Sequence, residues 1–508
     1  MRMRQRIGIQ CVGSLLVLTV SLAASACAAL NRASGSRGST VAADAATPAS
    51  LLPRELNADE QAHHALDRLA FGARPGDVQR VRELGVDRWI AEQLRPDRID
   101  DDIVNGMASA LTAAYESPAD AVQGLTAGVR GDTTARRQLR QRYAEAGRAV
   151  QSARLLRAVN SERQLQETLV DLWANHFSVF AGKGPVRLYL AQYENEAIRP
   201  HVLGKFRDLL GAVAHSPAML FYLDNWQSAA DSLHPTLADA QRRGPALAAA
   251  GRGRIRGRIA RRGIATGRTP RGLNENYARE LLELHTLGVD GGYSQQDVIE
   301  VARAFTGWSI AAPRDGGGFV FRAALHDAGA KVVLGQRIKA GGGESDGERV
   351  LDILSMHPAT ARMVATTIAR RFVSDEPPAS LIDRGTAAYM KTGGDLREVV
   401  RAIATSPEFF SRAAYRAKVK SPLELVASSY RAAGAAPDTT PRSARTVARL
   451  GQPLYGHQTP NGWPERGSEW LSAGAVADRV NFISMIVGRP EMSDSLRALL
   501  ESPDFQRR

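Results

Sequence analysis

The sequence predicts a mainly α protein, a multi-helix globular body of helical hairpins with one small β-hairpin. Three observations carry this. Apolar residues recur at helical spacing from about residue 56 to the end, with helices punctuated by Ser-Pro and Gly. A single stretch, 316–335, has strand-like composition. The chain is 508 residues long and 44% hydrophobic, enough for a substantial core, and both of its cysteines, Cys11 and Cys27, precede the body. The body therefore has no disulfide or thiolate chemistry, and packing must hold it together.

Taken in order, residues 56–226 form an N-terminal helical part. Leu66, Leu69 and Ala70, then Val78, Val81 and Leu84, mark two helices broken at Phe71-Gly72 and Pro75-Gly76. Arg136, Arg137, Arg140 and Arg142 read as a solvated face. Leu165, Leu169, Leu172 and Trp173 set a helix ending at Asn175-His176, which places His176 on the apolar stripe. Phe206–Pro217 is echoed by Leu396–Pro407 and more weakly by Leu496–Pro503. Each has an amphipathic helix running into Ser-Pro, which should cap and start the next helix. Residues 227–272 read as an Arg/Gly-rich, mobile surface insertion.

Residues 273–415 hold the central helices. Asn274 should cap a helix that stops at Gly288, and Ser294 with Asp297 resembles a capping box opening the next, so the two form a hairpin. Gly316–Arg322 and Lys331–Gly335 read as paired strands with His326-Asp327 at their connection. Residues 416–508 form a C-terminal helical part containing Tyr455–Trp470, a loop dense in aromatic and polar groups that lines a cleft or serves as a packing cover.

Residues 1–27 have the layout of a secretory signal: Arg2, Arg4 and Arg6, an apolar run, then small residues before Cys27. A lipoprotein-type signal with Cys27 acylated is the favoured reading, ahead of simple cleavage after Ala26 or Ala28 or a retained anchor. Residues 28–55 then form a flexible tether. This places the protein outside the cytoplasm, in the periplasm or cell envelope, on the membrane through a lipid anchor. Of the net charge of +13, ten positive charges come from arginines in 242–272, leaving +3 elsewhere. In an exported chain, Arg242–Gly272 fits an anionic glycan or lipid surface, and nucleic acid is disfavoured.

HExxH, an EF-hand loop, GxSxG and SxxK are all missing. What remains is a carboxylate, amide and imidazole set drawn from distant segments. Glu280, His326, Asp327 and His176 are the catalytic candidates, and Asn274, Asn276, Arg279, Tyr455, His457 and Trp463 the binding candidates. Such a set works as general acid and base on a glycan, or holds a divalent cation through oxygen ligands; no metal site is assigned. The bland alternatives are a satisfied core histidine at His176 and an ion-paired helix surface at Glu275–Arg279–Glu283.

LNENYARELLELHTLGVDGGYS with AFTGW (Leu273–Trp308), RLAFGARPGDVQRVRELGVDRWIAEQL (Arg68–Leu94), LWANHFSV (Leu172–Val179) and GGDLREVVRAIATSPEFF (Gly393–Phe410) together resemble the bacterial domain of unknown function 1800 family. The resemblance covers most of the chain beyond about residue 55 and implies no reaction. It implies a partner, since proteins of this family are often encoded beside secreted proteins with an alkaline-phosphatase or sulfatase-like fold. The favoured reading is thus an envelope-associated binding or accessory lipoprotein acting with such a hydrolase-like partner on an anionic surface polymer. The alternative is an envelope hydrolase or lyase, metal-assisted or not, using the carboxylate and histidine set.

Overall fold

Helix boundaries follow local chemistry closely. In the computed structural model, which describes residues 53–115, 117, 133–231, 234–247, 272–312, 315–436, 438–488 and 492–508, Asn57 and Glu60 form a reciprocal capping box at the first helix. The leader with Cys27, almost all of the tether and residues 248–271 lie outside the described residues. In chain order the helices are α1 (Ala58–Leu69), α2 (Asp77–Leu84), α3 (Val86–Gln93), α4 (Asp102–Thr112), α5 (Thr133–Asn160), α6 (Gln164–His176), α7 (Val186–Gln192), α8 (Phe206–His215), α9 (Pro217–Tyr222), α10 (Leu237–Leu247), α11 (Glu275–Leu282) and α12 (Gln295–Ala304). After two small hairpins come α13 (Glu344–Ser355), α14 (Pro358–Phe372), α15 (Ala379–Thr392), α16 (Leu396–Ala404), α17 (Pro422–Ala432), α18 (Arg442–Arg449), α19 (Ala473–Val487) and α20 (Asp494–Glu501). The fold is mainly α, and no described helix is long and apolar enough to cross a membrane.

The central hairpin forms between α11 and α12. Asn274 caps α11 by accepting from the Tyr277 amide, and Ser294 with Asp297 closes a capping box on α12. Between Leu282 and Gly288 the helix widens into a π-turn, Glu283–Leu287. The Thr286 hydroxyl donates to the carbonyl of Leu281, five residues back, at 2.7 Å. A second π-turn, Tyr193–Ile198, follows α7.

Three expectations are corrected. The strand-like stretch makes two antiparallel hairpins rather than one: β1 (Trp308–Ile310) with β2 (Phe319–Phe321), and β3 (Lys331–Val333) with β4 (Gln336–Ile338). Leu334 and Gly335 both have positive φ, 49° and 75°, so they form a tight two-residue turn that folds β3 onto β4 instead of β2. The second correction is at Ser406-Pro407, where α16 is followed by a turn rather than a helix; the Ser406 hydroxyl still caps by accepting from the Phe409 amide. Ser216-Pro217 does open α9, and Ser502-Pro503 opens a short 3-10 helix. Third, the start of the 227–272 insertion is built into the body. The Leu237 amide donates to the His326 carbonyl at 2.8 Å, and the Ala328 amide to the Pro235 carbonyl at 3.1 Å, because Leu237 buries its side chain and Thr236 starts α10.

One continuous apolar cluster extends from Leu56 to Phe505, so the N-terminal, central and C-terminal parts of the sequence share a core. Trp173, Phe177, Phe206 and Tyr389 pack ring to ring within it. Threaded through it is a buried ionic network. Asp171 on α6 pairs with Arg154 on α5 and with Arg371 on α14, both at 2.7 Å. Arg371 also reaches Glu424 on α17 at 3.0 Å, and Arg508 reaches the same carboxylate at 2.6 Å. Burial alone would raise Glu424, yet Arg508 and Arg371 hold its carboxyl down at about 2.

Removing one member of such a network strands the others. Asp171→Asn should cost about 3–5 kcal/mol, read as a lowered urea midpoint. Asp383→Asn, which breaks the exposed pair with Arg362, should change stability by less than about 1 kcal/mol.

Candidate functional site

The sequence-derived candidates separate into three places. The first is a cleft of about 390 Å³ between the end of α6, the C-terminal part of α14 and the 457–469 loop, where His176, His457 and Trp463 come together with Asn175, Arg370 and Glu469. Asn175 positions the loop: its amide nitrogen donates to the Trp463 carbonyl at 2.8 Å, and its amide oxygen accepts from the Trp463 N–H at 2.7 Å. This close approach requires Gly462, at φ 70°, where a Cβ would lie 2.3 Å from the Asn175 carbonyl oxygen. Trp463 sits edge-on to His457 at 4.7 Å. Tyr455, in contrast, points inward. It is 5% exposed at φ 57°, and its hydroxyl donates to Glu194 at 2.5 Å, so it anchors the loop to the π-turn Tyr193–Ile198.

His176 is held against Trp173 and Phe177, and its Nε2 donates to the His285 carbonyl at 3.3 Å. Burial lowers its pKa to about 4, and burial with His176 alongside lowers His285 to about 3. Both imidazoles are therefore neutral at physiological pH.

The second place is the region between the hairpins. His326 and Asp327 are fully buried. Asp327 takes a two-point grip from Arg303, at 2.8 and 3.1 Å, and Arg303 in turn holds Glu300. His326 Nδ1 donates to the Thr306 carbonyl at 2.7 Å, and its Nε2 lies 3.2 Å from Asp346, which Lys331 also contacts at 2.7 Å. Every one of these groups is turned inward on a partner, so His326 and Asp327 work as a strut joining α12, both hairpins and α13.

Glu280 makes no hydrogen bond or ion pair with His326, Asp327 or His176 and lies in the third place, on α11 near Tyr222. Burial, and Glu283 beside it, raise its carboxyl above the usual range. Asn274 is spent on capping and on the Leu223 carbonyl, Asn276 is exposed, and Arg279 bridges to Gln295 on α12 at 2.8 Å.

Sequence reasoning missed a further cleft, of about 530 Å³, walled by Arg95, Arg98, Arg163, Arg199 and Arg397, with Asp97 the single acid among its lining residues. Arg163 donates through Nε to the Ile99 carbonyl and Arg397 through Nε to the Leu94 carbonyl, both at 2.9 Å. Each guanidinium is thereby oriented from behind while its terminal nitrogens stay available. Arg199 is committed to Glu167 and Glu194, but Arg95, Arg98, Arg163 and Arg397 make no ion pair among the described residues. The cluster draws on four separated segments, and the only local hint is Arg95-Pro-Asp-Arg98.

A family model described as protein of unknown function (DUF1800) matches residues 64–506. The chain belongs to this family. Membership in DUF1800 assigns no reaction to either cleft, and neither a curated protein nor a solved structure matches the chain. The DUF1800 match spans both clefts and the His326–Asp327 strut.

The two lowered histidines give a pH test. Unfolded, His176 and His285 take up protons below about pH 6.5; folded, they do so only near 4 and 3. Their contribution to stability is complete above pH 6.5 and is lost as pH falls toward 4. Thermal unfolding of wild type against His176→Asn should show a shallower loss between pH 6.5 and 4 in the variant, by about one proton's worth of slope.

Proposed function

We propose that this DUF1800 protein is an exported, envelope-associated binding or accessory lipoprotein that grips an anionic surface polymer. The arginine cleft carries the reading. Four guanidiniums without an ion-pair partner among the described residues, two of them braced by backbone carbonyls, make a rigid receptor for phosphate, sulfate or carboxylate groups. Supporting it are the basic-apolar-small order of residues 1–27, with Cys27 as the lipidation point, and the Arg242–Gly272 segment, which would add charge along the same polymer. A secreted hydrolase-like protein of alkaline-phosphatase or sulfatase type is the proposed partner, with this chain presenting the polymer to it.

A second reading, an envelope hydrolase or lyase, rests on Glu280. It is half-buried, unpaired among the described residues, and its carboxyl is raised in the direction a general acid needs.

Fluorescence anisotropy with a labelled oligouronate or polyphosphate, against neutral dextran, tests the binding reading. Wild type should bind the anionic probes and not dextran. Arg163→Ala with Arg397→Ala should weaken binding about 100-fold or more, each lost charge-assisted contact being worth roughly 1.5–3 kcal/mol, and should flatten the salt dependence. Unchanged affinity in the double variant would remove the cleft from the proposal. Cleavage of either probe by wild type but not by Glu280→Gln would favour the enzyme.

A further inference from the structure

Apart from the clefts, α8 and α13 pack against each other and bring three metal-ligating side chains to one point. His215 is the last residue of α8; Glu344 and Glu348, four apart, lie on one face of α13. Their donor atoms all fall within 4.8 Å of one another. His215 Nε2 is 3.0 Å from a Glu348 oxygen and 4.0 Å from a Glu344 oxygen.

The surroundings orient each donor. His215 Nδ1 lies 2.8 Å from the Gly211 carbonyl, an acceptor only, so Nδ1 carries the hydrogen and Nε2 faces the two carboxylates. The imidazole is fixed between Trp308 at 4.4 Å and Phe319 at 4.5 Å. Gly347 lets Trp308 in, since a Cβ there would meet the indole at 2.5 Å. Arg207 donates to the other oxygen of Glu348 at 2.6 Å and to Asp352 at 2.7 Å, so Glu348 turns its free oxygen toward His215. A backbone carbonyl behind a histidine and a hydrogen bond behind a carboxylate are the outer supports that metal ligands use.

We propose that His215, Glu344 and Glu348 bind one divalent transition-metal ion, zinc by preference, at the surface junction of α8 and α13. A lone pair on Nε2 facing a carboxylate at 3.0 Å is favourable only with a cation between them. A proton serves His215 and Glu348 but leaves Glu344, which has no Arg or Lys partner among the described residues, to solvent alone. A metal ion serves all three. Metal–ligand bonds of about 2.0–2.2 Å place tetrahedral donors about 3.4 Å apart, a small adjustment from the distances here. One nitrogen and two oxygen donors suit zinc over magnesium, and the half-exposed position leaves the remaining coordination to water. The ion would clamp α8 to α13 beside the β1–β2 hairpin.

The proton is the competitor. It occupies the same Nε2 position, between His215 and the two carboxylates, that the metal ion would take. Metal affinity should therefore rise with pH as protons are withdrawn from competition.

Isothermal titration of the chelator-treated protein with Zn²⁺ alone, at pH 6 and pH 8, tests the site. One ion per chain, bound more tightly at pH 8, weakened at least tenfold in Glu344→Gln and abolished in His215→Gln, is the expected result. Glu344→Gln is the decisive variant, because Glu344 is exposed and takes no part in the Arg207 pairing. Absence of saturable one-to-one binding in wild type, or wild-type affinity in Glu344→Gln, would overturn the proposal.

Discussion

The constraint on which the architecture depends is the buried carboxylate of Asp171. It sits 5% exposed at the crossing of α5, α6 and α14 and is shared by Arg154 and Arg371. A charge removed from water is tolerable only when its partners come with it, so these three helices can approach in one register and no other. The same logic spreads outward through Glu424 and Arg508, and through Glu194 to Arg199 and Tyr455. The loop over the α6 cleft is thus tied to the same ions that align the core, and the cleft inherits its shape from them.

The strut around Asp327 solves a related problem with a different result. Two short hairpins bury too little apolar surface to stand alone. Arg303, Glu300, Lys331, Asp346 and His326 fasten them to α12 and α13 through hydrogen bonds whose donors and acceptors are matched inside the network. A histidine and an aspartate adjacent in sequence invite a catalytic reading, yet burial and full pairing give them cohesion as their evident work. The arginines of the 530 Å³ cleft show the reverse pattern, four of the five held there without an ion-pair partner among the described residues.

Much of the fold was legible because it rests on local rules. Asn274, Ser294 with Asp297, and Ser216-Pro217 act as caps within three residues of themselves, and such signals survive in a linear text. The strand pairing was not legible, because the partner of Phe319–Phe321 was decided by the Leu334-Gly335 turn beyond it. In the α6 cleft, aromatic density in 455–470 and the helix end at His176 pointed to residues that do converge, while the inward turn of Tyr455 depended on Glu194, some 261 positions away. The arginine cleft and the meeting of His215 with Glu344 and Glu348 join segments far apart in sequence, and the only local signs are Arg95-Pro-Asp-Arg98 and the four-residue spacing of the two glutamates.

The π-turn at Glu283–Leu287 has a consequence for how this region can vary. It holds one residue more than an α-helix would need to cover the same rise, and Thr286 keeps the extra residue in place by taking the Leu281 carbonyl. Deleting a single residue there would let α11 run straight to Gly288 with better backbone hydrogen bonding. It would also redistribute the side chains inside the turn around the axis, and His285 would leave its place against Phe177 and His176. The segment therefore tolerates exchanges of side chain more readily than changes of length: the wall behind the α6 cleft is set by a count of residues as much as by their identity.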